Sequence, residues 1–338
     1  MNFFRLFTAF VSLTTTVLVV SEDTSTKHRF LKWIDQFKIR IHNNQHFYNV
    51  FEKWVENDIF IDSVNSLGKS YKLAHNQFSG MNSTEYSEML SNKFIYRAPI
   101  NIIQDNLRKS SPPSEVDWVS AGAVTPVKDQ GQCGSCWSFS TTGALEGAYF
   151  VKYGTLVSFS EEQLVDCDNW KHGGHDHGCN GGLMDNAFAW INDNGGLCSE
   201  FDYPYISQNG ATGQNCQTEC SLVKGSQIMD YVDVPPSSDN DMMSAIALNP
   251  VSVAIQADQR EFQLYSSGVF TGSCGTNLDH GVLTVGYGTE NGEDYYLVKN
   301  SWSSSWGENG YIKLGRGSQY NHGQGQCGIL LQASYPVL

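Results

Sequence analysis

The residues best able to do chemistry lie in Gln130-Gly131-Gln132-Cys133-Gly134-Ser135-Cys136-Trp137. A cysteine attacks a carbonyl only as its thiolate, and an unperturbed thiol ionises near about pH 8.5, so a nucleophile needs a device that favours the anion. Gly134-Ser135 precedes a helical run, which places Cys136 in the first turn of a helix. The N–H groups and dipole there favour negative charge. The same residues admit other readings. Cys136 could be half of a disulfide, and the Cys-x-x-Cys spacing also suits a redox pair or a zinc site.

A nucleophilic cysteine needs a base elsewhere in the chain, and the base needs a group to orient it. Nine histidines compete for that part. Asp279-His280-Gly281 runs straight into a strand pattern, and Asn300-Ser301-Trp302 follows the next one. If the two strands pair antiparallel, His280 and Asn300 become neighbours, and the amide can fix the imidazole tautomer. Read singly, each is also an ordinary turn residue. His172, His175 and His177 cluster between Cys167 and Cys179. A solvated loop is the expectation there, not a metal site.

Elements on either side must hold these residues. Residues 24–41 carry Phe30, Trp33, Ile34, Phe37 and Ile41 at helical spacing, and a second helical stretch runs from about Gln45 to Asn65. Ser110-Ser111-Pro112-Pro113-Ser114 punctuates the chain, because two prolines fit neither a helix interior nor a central strand. Beyond it a helix is expected from Ser135 or Cys136 to about Tyr153, with Gly154 as its stop. Ser160-Glu161-Glu162-Gln163 reads as a capping box opening a short helix, and residues 183–194 as another helix closed by Gly195-Gly196. Val251–Ala257, Val282–Gly286, Tyr295–Lys299 and Tyr311–Leu314 read as strands. The fold class is therefore α+β, a helical half before a β-rich half.

Residues 1–21 have the pattern of a secretory signal: Arg5, a mostly apolar Val11–Val20 stretch and small residues before a cut near Ser21–Glu22. No other run reaches the ~20 apolar residues of a membrane span. An oxidising compartment would allow nine cysteines to form disulfides, with one left over. Asn82-Ser83-Thr84 is a glycosylation sequon. The formal charge of −14 argues against a nucleic-acid partner. Residues from Pro112 onward carry 8 lysines and arginines against 25 aspartates and glutamates, a net −17. Residues 1–111 carry 13 against 10, a net +3. The two parts should attract each other.

Together these residues resemble the papain family of cysteine proteases, in its cathepsin L-like branch. VDW at 116–118, TPVKDQGQCGSCWSFS at 125–140, LVDC at 164–167, CNGGLM at 179–184, DHGVLTVGYG at 279–288, NSW at 300–302 and WGENGY at 306–311 occur in family order. The resemblance implies a papain-like two-lobe fold with a helical left lobe and a β-barrel-like right lobe, preceded by a mostly helical prosegment. It implies a signal peptide at 1–21, an inhibitory prosegment at 22–111 and a peptidase domain at 112–338. Cys136 resembles the nucleophile, His280 the base, Asn300 its orienter, Trp302 the shield of that hydrogen bond and Gln130 the oxyanion-hole donor. Gly181 and Gly182 resemble the glycines that bond an extended substrate. Leu183, Met184, Ala254, Leu278, Gly281 and Gln332 resemble the lining of the main specificity pocket, which implies a preference for Leu, Phe or Val just upstream of the cleaved residue.

The resemblance also implies the pairs Cys133–Cys179, Cys167–Cys216 and Cys274–Cys327. Cys198 and Cys220 are left for a fourth bridge, and spacing alone leaves Cys167–Cys220 open. No metal or organic cofactor is implied. The expected partners are protein and peptide substrates and the chain's own prosegment, in a monomer bound for a lysosome, an acidic vesicle or the cell exterior. In the prosegment, Trp54, Asn57, Ile61 and Asn65 fit the family's helix motif, whereas His46 and Val50 replace its Glu and Arg. Asn76 and Phe78 fit the next motif, but Ala74 and Gly80 replace its Gly and Asp, and Ser303 replaces a usual Gly. The alternatives are a catalytically silent papain-like binding protein and a redox protein using Cys133 and Cys136.

Overall fold

The computed structural model describes residues 24–90, 111–210, 215–217 and 219–338. The expected signal at 1–21 lies outside them, as does most of the segment leading to the proline linker. Residues up to Arg40 and residues from Ile41 onward form two compact units. In the first, helix α1 spans Thr24–Gln36 with Phe30 stacked on Trp33. It ends short of the expected 41 because Lys38 takes a left-handed backbone, φ 54°.

In the second unit, α2 spans Asn44–Asn65, opened by Asn43, whose side chain accepts from the His46 N–H. Then come β1 (Tyr71–Leu73) and α3 (Ser83–Met89), the latter held by a true capping box between Asn82 and Glu85. After β2 (Val116–Asp117), helix α4 spans Cys136–Tyr153 and stops at Gly154, whose φ of 70° is free to glycine but strained for other residues. Helices α5 (Glu161–Cys167) and α6 (Met184–Asn194) complete the helical side. The Ser160 capping box forms only by half. Ser160 accepts from the Gln163 N–H, but the Gln163 side chain is drawn off to accept from the Cys198 N–H.

The β-rich side contains β3 (Asp230–Asp233), α7 (Asp239–Ile246), β4 (Val251–Ile255), α8 (Arg260–Gln263), β5 (Tyr265–Phe270), β6 (His280–Glu290), β7 (Glu293–Lys299), β8 (Tyr311–Gly315) and β9 (Ala333–Val337). The strands order as β1-β5-β8-β7-β6-β4-β9-β3, with β2 paired to β6. The sheet is open, with β1 and β3 at its ends, so the barrel-like lobe expected from the resemblance is not a closed barrel. β6 starts two residues earlier and runs four residues further than its apolar core suggests, because pairing with both β4 and β7 carries it through Gly286 and Gly288.

Helix α4 is buried from Cys136 to Ala148 and lies directly on the sheet. Gly147 makes that approach possible, since a Cβ there would stand 2.4 Å from the Pro250 ring. Two large apolar cores result among the described residues. One joins α4, α5 and α6 to the near face of β4 and β6 through Leu145, Leu164, Phe188, Ala254 and Val285. The other fills the β-rich side around Trp302, Trp306, Phe262 and Tyr296. Residues of the N-terminal segment, among them Tyr71, Phe78 and Tyr86, belong to the second core.

Candidate active site

Cys136 is the first residue of α4 and is buried, and its Sγ accepts from the Gly281 N–H at 3.3 Å. Gly281 follows His280 at the start of β6, so the thiol sits against the strand end that carries the imidazole. His280 Nε2 lies 2.8 Å from Asn300 Oδ1. Asn300 follows β7, which pairs antiparallel with β6. Trp302 stacks on the His280 ring at 4.5 Å and 21°. Burial lowers the His280 imidazole to about 4, and the Asn300 hydrogen bond opposes this only in part. Its Nδ1 is buried without a hydrogen-bond partner. A thiol beside an imidazole held by an amide can pass its proton to that ring and attack a carbonyl.

Gln130 is also held from this strand end. Its Oε1 accepts from Ser301 Oγ at 2.6 Å and its Nε2 donates to the Cys133 carbonyl at 2.8 Å. The sequence assigns no role to Ser301 or to Tyr205, whose hydroxyl donates to the Gln130 carbonyl. Ser301 could have been found, since it lies between Asn300 and Trp302.

Behind Asn300 and Gln130 lies a buried ionic network. Lys128 Nζ reaches Glu161 at 2.6 Å and Glu146 at 3.3 Å, and Lys299 Nζ donates to Thr125 Oγ1 at 3.0 Å. Burial pulls the Lys128 ammonium down, but Glu146 and Glu161 outweigh it and hold the ammonium above its ordinary value. Lys299, where burial dominates, is pulled down.

Four disulfides join Cys133–Cys179, Cys167–Cys216, Cys198–Cys220 and Cys274–Cys327. The first ties the loop before Cys136 to the loop carrying Gly181 and Gly182. Gly181 adopts φ 110° and ψ 167°, a region open essentially to glycine. Met184, Ala254 and Leu278 share one apolar cluster with Cys136, and Leu183 packs against it. Ala254 pairs with Gly281 in the sheet and donates its N–H to the Gln332 carbonyl at 3.0 Å. Among the described residues, no group of three or more His, Cys, Asp or Glu is placed to hold a metal ion. His172 instead contacts Asn169 Oδ1 at 3.1 Å.

The N-terminal segment lies across this region. Gln77 Nε2 donates to the Trp302 carbonyl at 2.6 Å, and Phe78 meets the Trp302 ring edge-on at 5.2 Å. Asn76 donates to the Gln263 carbonyl, Tyr86 to the Ala257 carbonyl, and Arg260 Nε to Asn57 Oδ1. Lys69 pairs with Glu261 at 2.9 Å. Asn65 holds both backbone groups of Leu73, and Trp54 stacks on His75.

The family model for papain family cysteine proteases matches residues 112–337. The chain belongs to the papain family of cysteine proteases. It is 48% identical over 289 residues to the probable cysteine protease RD21B of Arabidopsis thaliana, an alignment covering 85% of this chain and 60% of that protein. It is 41% identical over 323 residues to the senescence-specific cysteine protease SAG39 of Oryza sativa subsp. japonica, covering 94% and 92%. The chain thus spans about three fifths of RD21B and nearly all of SAG39. Among solved structures, digestive procathepsin L 3 from Tenebrio molitor larval midgut is 36% identical with a TM-score of 0.82, covering 94% of this chain and all of that one. A recombinant stem bromelain precursor is 34% identical with a TM-score of 0.82, covering 93% and 99%. The likeness to these precursor structures extends through the N-terminal segment.

Proposed function

We propose that the chain is the zymogen of a cysteine endopeptidase. Cys136 is the nucleophile, His280 the general base and acid, Asn300 the orienting group, and Gln130 the oxyanion-hole side chain, acting with the Cys136 N–H. The observation that carries the reading is the pair of contacts at one strand end: Cys136 Sγ on the Gly281 N–H, and His280 on Asn300 at 2.8 Å. With Nε2 committed to Asn300, Nδ1 is the nitrogen left to exchange a proton with the thiol.

The reaction is acyl transfer. The Cys136 proton moves to His280 and the thiolate adds to the peptide carbonyl. The oxyanion meets Gln130 Nε2 and the Cys136 N–H, each such donor being worth ~2.7–4 kcal/mol of transition-state stabilisation. Collapse breaks the C–N bond as His280 protonates the amine. Water, deprotonated by His280, then hydrolyses the thioester and restores the thiol. Leu183, Met184, Ala254 and Leu278 present an apolar surface to the residue upstream of the cut, and Gln332 supplies no charge for arginine. Gln332→Glu should then raise cleavage after upstream Arg; no gain would remove Gln332 from the pocket.

Residues 22–111 act as an inhibitory prosegment ahead of a peptidase domain at 112–338, after a signal at 1–21. The seating of Gln77 and Phe78 on Trp302 supports this assignment, and so do the precursor relatives. Four disulfides support passage through the secretory pathway, since such bonds persist in oxidising compartments. The endpoint is a lysosome, an acidic vesicle or the exterior.

The test is labelling of the acid-treated protein with a peptidyl epoxide that traps thiolates, beside Cys136→Ala, with cleavage of a Phe-Arg peptide followed at about pH 5.5. Stoichiometric labelling and cleavage, both absent in Cys136→Ala, are expected. A folded, processed protein that neither labels nor cleaves would overturn the enzyme reading in favour of a silent binding protein.

A further inference from the structure

The loop from Asp168 to Leu183 holds a pair of buried acids, which the mechanism above leaves unused. Asp168 and Asp176 are 0% and 2% exposed. Asp168 Oδ1 accepts from the His175 N–H at 3.2 Å. Asp176 Oδ1 accepts from the Leu183 N–H at 3.0 Å and from Asn186 Nδ2 at 2.8 Å. The other oxygen of each carboxyl, Oδ2, is buried without a hydrogen-bond donor of its own. The two side chains lie within hydrogen-bonding distance of each other. Two ionised carboxylates repel and leave both oxygens orphaned, whereas one proton between them satisfies both.

The pair is built into the segment assigned to the substrate backbone. Gly182 is wedged between it and the residue after the nucleophile. A Cβ on Gly182 would stand 2.6 Å from the Trp137 ring and 2.7 Å from Asp176 Cγ. A Cβ on Gly174 would stand 2.0 Å from Asp168 Oδ1. The loop has no slack in which the carboxyls could separate and keep their present bonds.

We propose that Asp168 and Asp176 share one proton and act as positioning residues for Gly181–Leu183, so that peptide affinity falls when that proton leaves. The inference rests on the reading of Gly181 and Gly182 as peptide-binding residues. Burial, reinforced by Asp168, pushes Asp176 up to about 9. A carboxyl raised above its unfolded value of about 3.9 contributes stability that is fully present below that value and is lost as pH rises through about 9. The loop is therefore tightest in acid.

Of the titratable groups on the surrounding elements, His175 is the one that favours ionised Asp168, as the last and smallest influence on it, well behind burial. Asp166 on α5 accepts from the Tyr203 hydroxyl and Asp185 on α6 from Ser334. His172 faces Asn169, and His177 caps the turn through its backbone. Trp137 and Asn186, packed directly on the pair, are uncharged.

The test compares acid-processed wild type with Asp176→Asn, an isostere that carries a permanent donor toward Asp168. Peptide KM and kcat are measured separately from pH 6 to 10, with epoxide labelling of Cys136 at pH 6 as the control. In wild type, KM should rise about tenfold per pH unit beyond the pair's titration, as the binding-competent fraction falls. In Asp176→Asn, KM should stay flat, while any alkaline loss in kcat from the catalytic pair is common to both proteins. Coincident KM profiles in two proteins that both label would overturn the proposal and leave the protease intact. Absent labelling in both would instead sink the protease reading. Should Asp176→Asn not fold, Asp168→Asn provides the second variant. Infrared spectroscopy of wild type at pH 7 provides an independent reading through the protonated-carboxyl stretch. That band must shrink on titration from pH 7 to 10 in wild type, and a wild type with no such loss refutes the shared proton.

Discussion

Two buried polar centres flank the candidate active site, and they handle charge in opposite ways. Behind Gln130 and Asn300, the partly buried Lys128 is ringed by the buried Glu146 and Glu161, and the ammonium stays charged. Beside Cys136, His280 is completely buried but faces an amide and an indole, and the ring stays neutral above about pH 4. A compensated charge fixes its neighbours at every working pH. An uncompensated titratable group makes the same burial depend on acidity.

The largest effects should come from breaking either centre. Glu161→Ala takes one of the two buried carboxylates from the partly buried Lys128 and should destabilise the fold by about 3 kcal/mol, toward the lower end of the cost for breaking a buried pair. Urea unfolding of the Cys136→Ala background measures this, and a loss below about 1 kcal/mol would show the network to be solvated. Trp302→Ala removes the ring that covers His280 and joins Phe78 to the β-rich core. It should cost about 3–5 kcal/mol, and it should let His280 titrate nearer its ordinary value. Histidine NMR resonances in the folded variant report the second outcome.

The pH dependence of the uncompensated centre comes next. The folded pKa of His280 lies below its unfolded value, so the unfolded chain binds more protons at low pH. Stability is present above about 6.5 and is lost as pH falls toward about 4. Between pH 7 and pH 5 the closed proform should lose roughly 2 kcal/mol from this group. Thermal melts of Cys136→Ala and of Cys136→Ala/His280→Gln should therefore converge as the pH is lowered. The smallest effect belongs to Lys69→Ala. The Lys69–Glu261 pair is partly exposed and should contribute at most ~1 kcal/mol, falling with salt. If processing in acid is instead blind to ionic strength, attraction between the +3 and −17 parts of the chain has no share in holding the prosegment.

Much of the site was legible in the sequence because its signals are local. Gly154 ends α4, Gly134-Ser135 begins it, and the apolar runs after His280 and before Asn300 mark two strands whose pairing brings those residues together. The Asp168–Asp176 pair was not legible. Seven residues of loop separate the two acids, and only the tertiary path folds one onto the other. The reciprocal capping bond of Gln163 failed for the same reason, since a distant backbone N–H at Cys198 competes for its carbonyl. The open sheet and β1 were also missed, because three residues at Tyr71–Leu73 carry no readable alternation.

The strand β1 is on loan. It adds to the sheet by pairing with β5 across three residues, one step of which is already out of register. If residues 22–111 leave as the proposed prosegment, the sheet loses its terminal strand and water gains an edge. That edge is part-blunted in advance, since the Gly268 N–H is taken by the Glu308 carboxylate at 2.6 Å rather than by the departing chain. The Val269 N–H, now bound to the Ser70 carbonyl, and the Leu264 carbonyl, now bound to the Ala74 N–H, are among the groups released. On the zymogen proposal, maturation would subtract a strand at the expense of few backbone bonds, and would leave a short, part-occupied border that offers another chain little to pair with.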